Sequence, residues 1–360
     1  MNQAIAQAKD LRLQLHSIPE ASGQETQTKA ALLAFLRKYS DLQLVDQGKW
    51  FYGVHREDPN SPSIAFRADM DAVMGADGTY YHGCGHDGHM SVMAALAASV
   101  SGKTLGKNLF FLFQHGEETG EGAKACLSLF EKEKVDAIYG FHNCPGFPAG
   151  AVLLHRATFA CGSKGLILRF SGTQSHAAYP ENGNNPIFPM AEFFTHWQEL
   201  TAPARYRGMV LLTPVGFNAG SQSFGVAAGS GEICLTLRAW FNDDLEKLEA
   251  AVKSLAADLA QNAGITLTTE VQDEFPATVN DPGLYDICTA AAQKAGLPCL
   301  TPPEPFRWSE DFGWYASKTK AFLLGIGAGE NAPGLHTPQY IWQDAVTEAA
   351  LQLFRNIIQK

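Results

Sequence analysis

The sequence predicts an α/β protein: a mixed sheet with flanking helices, interrupted by a small α+β domain of ferredoxin-like order. Strands and helices alternate between residues 63 and 141, the texture changes after Cys161, and the alternation resumes from about Phe275. With 360 residues, 46% of them hydrophobic and 18% charged, the chain can bury a large core and supply one large or two ordinary domains.

Residues 63–70, SIAFRADM, read as a buried strand ending in acidic residues. Residues 108–113, NLFFLF, read as a second, ending just before Gln114-His115-Gly116-Glu117-Glu118. A third covers 136–141 and ends at His142. Between them, 89–100 (small and apolar) and 121–134 (amphipathic) carry the helical period. Beyond Cys161 follow a strand (KGLILRFSG), a helix after Pro186, a strand (EICLTLRAW), a charged helix over 243–262 and a strand (ITLTTEV). That order suits a small sheet with two helices on one face. A helix over 282–296, the strand AFLLGIG and a closing amphipathic helix over 344–359 complete the chain. The simplest organisation is a catalytic domain formed by 1–161 and 273–360, with 162–272 inserted into it.

Several function classes are excluded by composition. Lys and Arg number 27 against 37 Asp and Glu, a formal net charge of -10, and no basic run offers a nucleic-acid footprint. The first twenty residues lack the basic start, apolar run and cleavage site of a signal peptide, so a cytoplasmic location is the default. No apolar stretch reaches the roughly 20 residues of a spanning helix, so no membrane partner is expected. The seven cysteines, scattered from Cys84 to Cys299 without CxxC pairs, argue against a disulfide framework and against a structural zinc knuckle.

The strongest chemical signal is His82-Gly83-Cys84-Gly85-His86-Asp87-Gly88-His89, one thiol, one carboxylate and three imidazoles within eight residues. A lone histidine is seldom a ligand, but few structural roles need this combination. Glu117-Glu118 follows a buried strand, where adjacent carboxylates can point different ways, one toward a metal and one toward a water. His142, at a strand's carboxyl end, could complete a coordination sphere or equally cap a core, and His336 gains weight only from the ensemble.

Together these residues resemble the aminoacylase and hippurate hydrolase group, with its auxin-conjugate and aminobenzoyl-glutamate amidohydrolases. Carboxypeptidase G and succinyl-diaminopimelate desuccinylase are more distant relatives. The markers are LHSIPE with Glu25 beyond it, RADMDAV at 67–73, HGCGHDGH at 82–89, FLFQHGEE at 111–118, GFHN at 140–143, SHAAYP at 175–180, SEDF at 309–312 and LHTP at 335–338.

The resemblance implies a di-zinc-peptidase-like catalytic domain and an inserted dimerisation or lid domain. It implies two divalent metal ions, zinc or manganese first with cobalt or nickel open, held by Cys84, His86, Glu118, His142 and His336. Glu117 is the implied general base. Asp71 is the implied carboxylate that orients a ligand, a role Asp69 or Asp87 could share. His176 would reach the partner subunit's site in a homodimer and hold the developing oxyanion. The implied activity is hydrolysis of the amide bond of a small N-acylated amino acid or related conjugate. A dipeptidase or aminopeptidase of the same architecture is the first rival, and a non-catalytic dimeric binding module the second.

Two stretches depart from the family pattern. The loop before Cys84 is the short VMGADGTYYHG, and Gly225-Val226-Ala227-Ala228 replaces a segment that usually precedes the strand ending in Arg, here Arg238.

Overall fold

The computed structural model describes all 360 residues. The chain divides into two compact units, one of Met1–Phe159, Thr278–Pro305 and Glu310–Lys360, the other of Ala160–Ala277 with Phe306–Ser309.

The large unit is built on an eight-stranded mixed sheet. Its strands run in the order Gln43–Asp46, Phe51–His55, Asn108–Gln114, Ser63–Asp69, Ala137–Pro145, Lys320–Gly329, Val152–Leu153, Cys299–Leu300. The four central strands are mutually parallel, so their carboxyl ends open on one side. Being buried on both faces, they read as near-continuous apolar runs. The helix His86–Val100 is buried almost all round, which its run of Ala, Val, Met and Leu permits, and it packs with Asn2–His16 and Asp344–Ile358 into the same core.

Phe66 stands at the centre of that core. It is fully buried, with ring centroids of Phe354, Tyr139 and Phe111 at 5.3, 5.7 and 5.9 Å. Phe66→Ala is expected to lower stability by about 3–5 kcal/mol, read from the urea midpoint at unchanged slope.

The small unit has four antiparallel strands in the order Val210–Ala219, Ser230–Ala239, Gly162–Ser171, Thr266–Phe275, with helices Ile187–Phe193 and Asn242–Asn262. Along the chain this is β-α-β-β-α-β, a ferredoxin-like order in which Val210–Ala219 joins the three strands read from the sequence. Leu166, Leu168 and Phe170 alternate inward, as do Ile233, Leu235 and Leu237. They meet the Leu245, Leu248, Val252, Ala256 stripe of the long helix. No helix in either unit is long and apolar enough to cross a membrane.

Two expectations need correction. The helix expected over 121–134 is two short helices, Gly122–Cys126 and Leu129–Lys132. Between them the Leu127 N–H is shared by Ala123 O and Lys124 O, and Phe130 N–H turns to Leu127 O, so the ladder tightens to three-residue spacing. The strand expected to end at His142 continues to Pro145, because its parallel pairing with Lys320–Gly329 runs on. His142 therefore projects from within a strand.

Candidate metal centre

The site forms where the parallel strands end. Ser63–Asp69 delivers Asp69 and then Asp71, Asn108–Gln114 delivers Glu117 and Glu118, and Ala137–Pro145 carries His142. Cys84 precedes the helix that begins at His86. Gly85 between them has φ +90°, and a Cβ there would lie 2.5 Å from the Tyr340 hydroxyl and 2.8 Å from Asn143 Oδ1, so only glycine fits. His336 sits in a loop after the strand Lys320–Gly329 at φ +58°, tied by its N–H to Gly83 O at 2.9 Å.

These loops bring all five expected donors together. Ligand atoms of Cys84, His86 and His142 lie within 4.8 Å of one another, as do those of Cys84, Glu118 and His336, and those of His86, Glu117 and Glu118. Cys84 Sγ is 3.4 Å from His142 Nε2, Glu118 Oε1 is 3.4 Å from His336 Nε2, and His86 Nε2 is 3.7 Å from Glu118 Oε1 and 3.8 Å from Glu117 Oε2.

The lone pairs suit a cation. His86 Nδ1 donates to the Asp71 carbonyl at 2.9 Å and His142 Nδ1 to the Asn143 carbonyl at 2.9 Å, so each ring presents an unprotonated Nε2 to the cluster. His86 Nε2 and Glu118 Oε1 are buried without a hydrogen-bond partner, which a bound cation would satisfy. Thiol, imidazole and carboxylate together form a donor set for a divalent transition metal.

Without a cation, electrostatics act on the donors in different directions. Burial would depress His86, but the charges of Asp69 and Cys84 hold it well above the ordinary imidazole value, while burial beside His89 drives His142 well below. The Cys84 sulfur and the Glu118 carboxylate beside it push His336 up to about 10. Burial raises the Cys84 thiol, with the Glu118 charge adding to it. His86, Cys84 and His336 thus hold protons that a bound cation would displace, while His142 is already free to coordinate.

The other two histidines of the 82–89 motif serve the scaffold. His82 Nε2 faces Leu15 O at 3.2 Å, and the His89 nitrogens face Asp69 Oδ1 at 2.8 Å and Asn143 Oδ1 at 2.6 Å. Asp87 points away, to His16 at 2.8 Å and Arg12 at 3.3 Å. Asp71 lies against the cluster: its Oδ1 is 3.4 Å from His86 Nδ1, and its Oδ2 accepts the Glu118 N–H at 3.0 Å and the Ser22 hydroxyl at 2.6 Å.

His176 belongs to the small unit. It is exposed, its Nδ1 accepts the Ala178 N–H at 3.0 Å, and its backbone bridges Val226. The departing segment 225–227 thus zips to the SHAA loop, through Ala177 N–H to Gly225 O and Ala227 N–H to Ser175 O, each 2.9 Å. Arg238 is held within the same unit, donating to Arg307 O at 3.0 Å and Ser309 Oγ at 2.8 Å. The short loop before Cys84 forms the hairpin Val73–Met74 with Tyr80–Tyr81.

Sequence reasoning offered Asp69 as a ligand-orienting carboxylate but assigned no role to Arg67, Gln114, Glu310 or Asp311 beneath the cluster. Arg67 is buried and paired with Asp69 at 2.7 Å, Glu310 at 2.9 Å and Asp311 at 2.6 Å, and its Nε donates to Gln114 at 2.8 Å. RADMDAV and SEDF were both recognisable, but only their convergence in space ties them to Glu117.

A buried thiol, imidazole and carboxylate cluster at the carboxyl ends of parallel strands is the donor set of a metal-dependent hydrolase. The chain belongs to peptidase family M20/M25/M40, whose model matches residues 65–360. An N-acetyldiaminopimelate deacetylase of Exiguobacterium sibiricum is 24% identical to it over 349 residues, 92% of this chain and 93% of the relative. One of Listeria monocytogenes is 25% identical over 343 residues, 91% of each chain. Among solved structures, a dinuclear metal-binding peptidase of the M20 family from Bacillus subtilis shares the fold with a TM-score of 0.85 at 20% identity, covering 100% of this chain and 98% of its own.

Proposed function

We propose that this protein is a two-metal amidohydrolase that cleaves the amide bond of N-acyl amino acids or related small conjugates. The observation that carries the reading is the convergence of five donors around the buried, unpartnered His86 Nε2 and Glu118 Oε1. Cys84, His86, Glu118, His142 and His336 would hold two divalent cations, zinc or manganese first.

When bound, such cations lower the pKa of a water to about 7 and polarise the amide carbonyl. Glu117 accepts the proton of the attacking water and returns it to the leaving amine, so one carboxylate acts as base and then as acid. Asp71 fixes the His86 ring through its carbonyl and the Glu118 loop through its carboxylate. The same reading places the enzyme in the cytoplasm as a homodimer formed through the small unit, with His176 lent to the partner's site to hold the oxyanion. The exposure of His176 on a loop agrees with that role.

The relatives named as N-acetyldiaminopimelate deacetylases put that compound first among substrates to try. N-acetyl, N-benzoyl and N-aminobenzoyl amino acids and free dipeptides complete the panel. Chelation is expected to abolish turnover, and added zinc or manganese to restore it on one or more N-acyl amino acids. Cleavage confined to dipeptides would move the protein to the peptidase branch. Metal binding without turnover on any of these amides would point to a divergent substrate or to a binding module.

A further inference from the structure

Glu25 lies outside the donor cluster, yet its side chain is only 4% exposed. Its Oε1 accepts two backbone N–H groups at 2.8 Å each, one from Gly23 and the other from Gly116, 91 residues away. Gly116 immediately precedes Glu117 and has φ +57°, which turns the chain out of its strand. A buried N–H at such a turn needs an acceptor, and Glu25 supplies it.

The segment carrying Glu25 grips the neighbouring loop as well. Glu20 O accepts the Ala72 N–H at 2.9 Å, and the Ser22 hydroxyl donates to Asp71 Oδ2 at 2.6 Å, the oxygen that also takes the Glu118 N–H. The segment is anchored in turn: the Glu20 carboxylate accepts the N–H groups of Gln27 at 3.1 Å and Thr28 at 2.8 Å, at the start of the helix Thr26–Tyr39. Residues 20–25 thus tie the loop that follows one parallel strand to the loop that follows the next.

We propose that Glu25 is a positioning residue, which by holding the Gly116 N–H sets the turn that aims Glu117 and Glu118 into the cluster. What those two carboxylates do rests on the function proposed above; that Glu25 sets the turn does not. The brace works through a hydrogen bond and not through charge. Both bonds end on one oxygen, which a glutamine amide also offers. Burial and the negative charge of Asp71 push the carboxyl up to about 7, so the neutral form is already within reach.

The test uses the full chain as wild type, Glu25→Gln and Glu25→Ala, with Glu25→Asp, one methylene too short, should the alanine variant fail to fold. Three quantities are read: amide hydrogen exchange over 115–118 in metal-free protein, zinc affinity by chelator competition, and kcat and KM. Glu25→Ala is expected to speed exchange over 115–118 and to lose about 10–100-fold in zinc affinity or kcat with KM nearly unchanged, while Glu25→Gln stays close to wild type in all three. Unchanged exchange in Glu25→Ala overturns the inference, as does a glutamine variant that falls as far as alanine. Failure of the wild type to bind zinc, manganese, cobalt or nickel would instead sink the proposed function, and the exchange experiment would still decide the role of Glu25.

Discussion

Glu117→Gln is expected to turn over about 10²–10⁴-fold more slowly than wild type while binding its zinc normally. The amide keeps the size of the side chain and an oxygen for the Asp311 N–H, 3.4 Å from Glu117 Oε1, but it cannot take a proton. The surroundings favour proton uptake. Burial pushes the Glu117 carboxyl well above the usual carboxylate range, and Glu310, Glu118 and Asp311 push the same way, against His86. Bound cations would oppose those charges and bring the group back toward the working pH, where a general base is most effective. Two outcomes of the zinc and kcat measurement would count against the assignment. Turnover within about tenfold of wild type would remove Glu117 from proton transfer, since a general base supplies at least about a hundredfold. Loss of zinc together with turnover would make it a ligand instead.

The chemistry of the site was legible because its residues are short-range neighbours. Cys84 with His86, and Glu117 with Glu118, sit in motifs whose composition few scaffolds need, at the ends of strands that read plainly as buried apolar runs. What stayed hidden depends on contacts across the chain. Arg67 and Asp311 are 244 residues apart, and nothing in either motif shows that they pair. The three histidines of the 82–89 motif are alike in local sequence; the family resemblance singled out His86, and the fold shows what His82 and His89 contact instead.

Edge strands were lost for a different reason. Val210–Ala219 contains Pro214 and Gly216, which read as turn residues; in the structure they flank a shift in register on an edge strand, where a proline has no ladder bond to forfeit. The two short helices after Gly122 show the converse. Gly122, Ala123, Cys126 and Leu129 are buried with helical spacing across both, so the periodicity was read correctly although the hydrogen-bond ladder breaks between them.

Arg67→Met is expected to cost about 3–5 kcal/mol of folding stability in the metal-free protein, because it strands the carboxylates that the guanidinium now pairs. Asp69, Glu310 and Asp311 all contact Arg67 and are buried themselves. The balance is uneven even with the arginine present: burial, opposed by Arg67 but assisted by Glu310, pushes Asp311 up to about 8, and burial raises Glu310 as well. Without Arg67 both rise further. A carboxyl whose folded pKa is raised binds more protons folded than unfolded. Its stabilising contribution is therefore fully present below the unfolded value of about 4 and is lost as pH climbs through the folded value. The deficit of Arg67→Met should accordingly be smallest near pH 5 and grow through pH 8. Urea midpoints of wild type and variant at both pH values, after chelation so that metal binding does not add its own stabilisation, read this directly. A deficit that does not change with pH would mean that Arg67 acts through packing of its aliphatic stem, and the carboxylates around it would then be protonated whether the guanidinium is there or not.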